Sequence, residues 1–249
     1  MQQLDECSDY KNYRKARQDI ENHEGSIVHY RWRNLELAWQ AIYGANRDVL
    51  LAFLTSANDD QQIEIMQMMS DDNRDGFGLV GLLLFNFLQS ANALANQCIR
   101  LQKKQENTEF IEEWKNQVQE LTKIPEVSLI QDLRNFFAHV DIPPIVFTTR
   151  IDNHDGNGQL STYFSLSSEK SRTSKSWEKT FAPLSRKYLE ENNPVKIEDL
   201  VRGFDEAENT FMDWLSEEYF KVHDDILAER DRALAELNLR FFGTANPLP

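Results

Sequence analysis

A chain of 249 residues, 41% hydrophobic and 27% charged, is long enough to bury a sizeable core without disulfides and has the balance of a globular protein. Its formal net charge of -14 argues against broad, sequence-independent binding to nucleic acid, which needs Lys and Arg to neutralise phosphates. Cys7 and Cys98 lie far apart in no CxxC pattern, and MQQLDECSDYKNYRK has no apolar stretch of the kind a secretory signal needs. Both features argue against a disulfide scaffold or a cysteine-held metal and set the expectation of a reducing cytosol.

Residues 5 to 21 predict a short amphipathic helix, broken by His23-Glu24-Gly25-Ser26. A longer helix is expected from about Arg33 to Ser56, where Leu35, Leu37 or Ala38, Ile42, Val49 or Leu50, and Phe53 are spaced in threes and fours. Residues 60 to 70, rich in Met and Gln, predict another short helix, and DDNRDGFG over 71 to 78 predicts a turn. A long helix is then expected from about Leu79 to Lys104. Its polar stripe is Gln89, Asn92, Asn96, Arg100 and Lys103, and the rest is apolar or small, so it should be central. The apolar run FGLVGLLLFNFL, 77 to 88, is interrupted by Asn86 and is shorter than the roughly 20 residues of a membrane span. No membrane association is expected. A helix over 108 to 122 follows, and Pro125 opens the next at a first-turn position where proline is tolerated.

Beyond Pro143-Pro144 the pattern changes. IVFTTRI and TYFSLS are β-branched and aromatic, with DNHDGNGQ between them, which is a β-hairpin signal. Helix resumes near Trp177. A last helical region is expected from about Val195 to Arg240, with Ile197, Leu200, Phe204, Phe211, Leu215 and Ile226 on one face. With no internal repeat and no long linker, the chain reads as one mainly α domain with an inserted hairpin. Its core covers about 33 to 140, its hairpin about 145 to 168, and its C-terminal helices about 176 to 240.

Charge is uneven along the chain. Residues 195 to 236 hold 13 acids and 5 bases. Residues 169 to 187 reverse this, with Lys170, Arg172, Lys175, Lys179, Arg186 and Lys187 against Glu169 and Glu178. An anionic ligand should prefer that stretch, although a run of charge is equally a solvated surface.

Several motifs carry little. Asp71-x-Asn73-x-Asp75-Gly76 matches half of an EF-hand loop, but Leu82 stands where the bidentate Glu belongs, and a turn before the next helix accounts for it. Asn153-x-Asp155-x-Asn157-Gly158 fails likewise at Phe164 and reads as the hairpin turn. His23 and His29 lack a third ligand nearby, and His223 reads as a solvated histidine on an acidic face. P-loop, Rossmann, zincin and serine-hydrolase signatures are missing. Neither metal nor cofactor is expected.

DLRNFFAHVDIPP, 132 to 144, is different. At 100° per residue, Leu129, Ile130, Leu133, Phe136, Phe137 and Val140 share one apolar face. Gln131, Arg134, Asn135, Ala138 and His139 share the other side, and Asp132, Asn135 and His139 form a stripe along one edge. The phenylalanines would anchor the helix and leave the polar groups pointing away from the core. Small Ala138 would leave room for a ligand or a partner helix. His serves as acid or base near neutral pH, and Arg offers a fixed charge and a fork of donors to a phosphate. Asp132 or Asn135 could orient the imidazole. The stretch holds no nucleophile, so the substrate would supply one, as a ribose 2'-OH does when it attacks its own phosphodiester. The competing account is structural: an Arg and a His on a helix surface also pair with acids of a neighbouring helix.

Arg134-Asn135-Phe136-Phe137-Ala138-His139 resembles the R-x(4-6)-H hallmark of the HEPN superfamily, in its four-spacer form and with Asn directly after Arg. Around it stand a long preceding helix, a Leu before the Arg and a proline just past the His. The resemblance covers about residues 35 to 140. It implies an antiparallel helical bundle and a metal-independent endoribonuclease with Arg134 and His139 as the catalytic pair. Asn135 and Asp132 would support them, and Lys170, Arg172, Lys175 and Lys179 would contact RNA. It also implies a homodimer in which two motifs share a cleft, a toxin or phage-defence setting, and a protein inhibitor as partner. On one helix the pair is about 140° apart, awkward for one phosphate but workable when two helices face each other. Some toxins of this family carry a modified Tyr two residues after the His. Asp141 stands there in this chain, so that form of control is not implied. The alternative within the resemblance is a non-catalytic interaction module whose acidic C-terminal helix binds a partner protein.

Overall fold

A computed structural model describes residues 2–56, 75–140, 142–143, 145–152, 159–167 and 177–244. In chain order these form α1 (Gln2–Glu21), α2 (Glu24–Leu37), a π-helical segment (Ala38–Gly44), α3 (Ala45–Ser56), α4 (Asp75–Gln102), α5 (Thr108–Leu121) and α6 (Pro125–His139). Strands β1 (Ile145–Asp152) and β2 (Gln159–Leu166) follow, then α7 (Trp177–Thr180), α8 (Pro183–Glu191), β3 (Val195–Lys196) and α9 (Ile197–Phe242). The chain is mainly helical, as its periodicity predicts. The helix expected over 60 to 70, the EF-hand-like residues Asp71 and Asn73, the hairpin turn 153–158, and Lys170, Arg172 and Lys175 lie outside the described residues.

The chain forms two compact units, Leu37–Asp213 and Met1–Glu36 with Trp214–Pro249. In the larger, α4 is central. Val80, Leu84, Phe87, Ala91, Leu94 and Cys98 recur in threes and fours along it and are buried. Gly78–Gln102 is also long and apolar enough to cross a membrane by length and composition, and it is partly buried within the protein. Tyr43, carried by the π-helical segment, is fully buried against Phe87 and Phe204. Its hydroxyl donates to Asp205 Oδ1 at 3.0 Å, and Arg47 Nη1 reaches the same oxygen at 2.6 Å. Burial and Asp205 together push the Tyr43 hydroxyl far up its titration scale.

Helix α5 starts where Asn107 accepts from the Phe110 N–H at 2.8 Å, the usual work of an N-cap amide. Helix α6 starts on Pro125, whose missing N–H costs nothing in a first turn. The hairpin forms in the register Ile145↔Leu166 and Phe147↔Phe164, and β3 adds a short third strand through Ser165↔Lys196 and Leu166↔Val195. Phe164 packs its ring 6.0 Å from that of Phe53 and 5.2 Å from that of Phe147, which ties the sheet to α3.

In the smaller unit Trp32 stacks on Tyr219 at 5.5 Å, and the Tyr219 hydroxyl donates to the Val28 carbonyl at 2.9 Å. Gly25 sits where α2 meets α9, so close that a Cβ there would run into the Ile226 carbonyl oxygen.

Some expectations need correcting. The second helix begins at Glu24, not near Arg33, because His23 Nδ1 caps it by accepting from the Gly25 N–H at 3.1 Å. His223 is half-buried, its ring 4.7 Å from that of Tyr219, and burial together with Arg31 lowers its pKa; it is not a solvated histidine. The helical wheel puts Val140 on the apolar face of α6, but it is 39% exposed, since the helix ends at His139 and Val140 leaves the helical path.

Candidate functional site

The apolar face of α6 is buried through Val127, Leu129, Ile130, Leu133 and Phe136, so this helix is fixed in rotation. Phe137 lies at the edge of that face, half-buried, with its ring 5.8 Å from that of Phe85 on α4. The rotation decides where each polar side chain points.

His139 ends in solvent, in the last turn of α6, and Ala138 beside it is exposed. Around this end stand apolar side chains that are also exposed: Leu82 at 55%, Phe85 at 36% and Ile142 at 65%. Ile142 lies against α4, its Cγ2 at 3.9 Å from the ideal Cβ position of Gly81, which is ordinary van der Waals contact.

Arg134 and Asn135 do not point away from the protein as the helical wheel suggests. Both are half-buried and line a cavity of ≈ 290 Å³ bounded by α4, α6 and α9, with Leu121 at the end of α5. The wheel treats the helix as isolated. In the fold, α4 and α9 flank it on that side, and the small side chains of Ala91 and Ala95 leave the gap. Arg134 Nη1 donates to Asn135 Oδ1 at 2.9 Å, while its Nε is buried with no hydrogen-bond partner among the described residues. A buried donor left without a partner costs about 1–3 kcal/mol.

Asp132 does not orient the imidazole. Its Oδ2 accepts from the Ala182 N–H at 2.7 Å and from Ser185 Oγ at 2.6 Å. These bonds satisfy the start of α8, where Ala182 has no side chain able to cap. Asp132 is thus a tie between α6 and α8, fifty residues apart in sequence. Lys179 is exposed on α7, next to Phe181, whose ring packs 5.6 Å from that of Phe136.

Sequence reasoning missed Glu208. It lines the same cavity as Arg134, is only 8% exposed, and its carboxyl is pushed up to about 7, first by burial and second by the nearby charge of Asp205. A signal was there to be read: Phe204, Glu208, Phe211 and Leu215 follow one another by four, three and four, which puts an acid in a buried stripe. It was lost among the many surface acids of the region.

Among the described residues no group of three or more His, Cys, Asp or Glu side chains is placed to hold a metal ion. No protein-family model, curated protein or solved structure matches this chain.

Proposed function

We propose that this protein is a metal-independent endoribonuclease of the HEPN type, built on a HEPN-like helical bundle and working as a homodimer. The observation that carries this reading is the placement of two groups on one helix. The His139 imidazole stands in solvent at the end of α6, and Arg134, one turn and a half earlier, lines a cavity, with its Nε buried and without a partner among the described residues. A histidine that served only the scaffold would be buried and fully hydrogen-bonded.

In this mechanism His139 removes the proton from a ribose 2'-OH, and that oxygen attacks the adjacent phosphorus. The bond from phosphorus to the 5'-oxygen of the next nucleotide breaks, leaving a 2',3'-cyclic phosphate. The leaving oxygen takes a proton from a histidine, which in a dimer is the second copy's. Arg134 stabilises the charge that builds on the phosphoryl oxygens. The exposed apolar rim of Leu82, Phe85 and Ile142 supports a second copy on this face, which would bring two motifs together. Lys179 stands exposed to meet the RNA backbone.

The test is purified protein with total RNA in EDTA, beside His139→Ala and Arg134→Ala, with analysis of product ends. Cleavage by the unmodified chain alone, leaving 2',3'-cyclic phosphates, is the expected result. Equal cleavage by all three would mean a different site. No cleavage would favour the second reading, a non-catalytic HEPN-like interaction module. That reading is favoured by the polar bonds of α6 that stay inside the fold, from Arg134 to Asn135 and from Ser185 to Asp132.

A further inference from the structure

We propose that the cavity between α4, α6 and α9 is a base pocket selective for guanine, with Glu208 as its specificity-determining acceptor; the step from free base to RNA rests on the ribonuclease reading above. The cavity, at ≈ 290 Å³, stands at the small end of ligand pockets and suits one flat ring system better than a large ligand. Its walls are apolar, with Leu88, Val127, Ile130 and Phe204 available to the two faces of a ring. Its polar groups are five, Asn92, Gln131, Arg134, Asn135 and Glu208, and they are of opposite kinds. Glu208 offers a carboxyl, while Arg134 and Asn92 offer donors.

Glu208 is the feature that demands an explanation. Among the described residues nothing pairs with it: the nearby cation Arg47 is held by Asp205, and Arg134 bonds Asn135. A buried carboxyl without a partner is costly, and a Leu or Gln would fold more cheaply. A ligand with two adjacent donors would satisfy it. Of the four RNA bases, guanine alone sets two N–H donors, at N1 and N2, side by side against one carboxylate. Adenine and cytosine each set an amino donor beside a ring acceptor, which would face a carboxylate oxygen unfavourably. Uracil has one donor between two acceptors. The opposite edge of guanine carries the O6 and N7 acceptors, the atoms to which Arg commonly donates. Arg134, which lines the cavity, carries donors of that kind. Unstacked bases read on these edges are the usual route to sequence preference in single-stranded RNA.

The experiment is calorimetric titration of the full chain in EDTA at pH 8 with the 3'-monophosphates of guanosine, adenosine, cytidine and uridine. Guanosine 3'-monophosphate should bind at least about tenfold tighter than the others. Glu208→Gln, which keeps the size but replaces one acceptor by a donor, should erase that preference. Ala95→Leu, which fills the cavity, should abolish guanosine binding while circular dichroism stays unchanged. Equal binding of all four nucleotides, a preference that survives Glu208→Gln, or no binding at millimolar concentration overturns the proposal. Guanosine-selective binding by a chain that cleaves no RNA keeps the pocket and sinks the ribonuclease reading. Cleavage without any base preference does the reverse.

Discussion

Ser185 Oγ donates to Asp132 Oδ2 at 2.6 Å, and the same oxygen takes the backbone N–H of Ala182 at 2.7 Å. Two donors at the start of α8 thus depend on one carboxylate of α6. Asp132→Ala leaves the Ala182 N–H short of a partner, while Ser185 Oγ keeps Ser128 Oγ at 2.8 Å, and should cost about 1–2 kcal/mol in chemical denaturation. Asp132→Asn, which retains an acceptor but not the charge, should cost less. A loss under about 0.5 kcal/mol for the alanine variant would show that water replaces the carboxylate at no expense.

His139 invites the opposite expectation. Its side chain is exposed, so His139→Ala should change unfolding stability by no more than about 0.5 kcal/mol while removing RNA cleavage. Activity and melting temperature, measured on the same preparation, separate chemistry from scaffolding. If stability and cleavage fell together, the histidine would be structural.

Glu208 makes stability depend on pH. Its folded carboxyl titrates at about 7 instead of the ordinary 4.5, because burial penalises the ionised form. The unfolded chain therefore releases this proton first as pH rises. Between about 4.5 and 7 the folded state binds more protons, so this group's contribution to stability falls with rising pH and is lowest above about 7. The size is roughly 3 kcal/mol over that window. Asp205 on the same helix, Tyr43, Cys98 of α4 and Arg134 of α6 surround or share its site. None of these removes the sign. Denaturation across pH 4.5 to 8 should show this slope in the unmodified chain and a flatter one in Glu208→Gln. Identical slopes would mean that the carboxyl is hydrated in the folded state.

Gly25 tests the smaller unit. A methyl group there meets the Ile226 carbonyl oxygen and lies 2.9 Å from Arg230 Cβ, and backbone cannot move aside as a side-chain tip can. Gly25→Ala should destabilise by about 1–3 kcal/mol. Ala substitution at Gly78, where no neighbouring atom stands within 4 Å, is the control and should be neutral or stabilising.

What was legible in the sequence follows from range. The buried face of α6 and the two long strands are set by side-chain periods within a few residues, and Leu129, Ile130, Leu133 and Phe136 announced themselves. Contacts over many residues did not. Nothing near Asp132 indicates that its partners are Ala182 and Ser185. Nothing in AWQAIYG announces that its helix widens to π geometry over Ala38–Gly44. The two-residue strand β3 is too short to carry a pattern. Arg134 and His139 were found by their spacing, but their different surroundings, one in a cavity and one in solvent, depend on α4 and α9.

Cys98 gives the larger unit a built-in clock. Its thiol is 3% exposed on α4, meets Met212 Sδ of α9 at 3.8 Å, and is held well above its ordinary pKa by burial. An alkylating reagent can reach it only when these two helices part, and the reactive thiolate forms only then. The rate at which Cys98 is labelled therefore counts openings of the packing beside the cavity, and it needs no introduced probe. A ligand that settles between α4 and α9 would slow that clock.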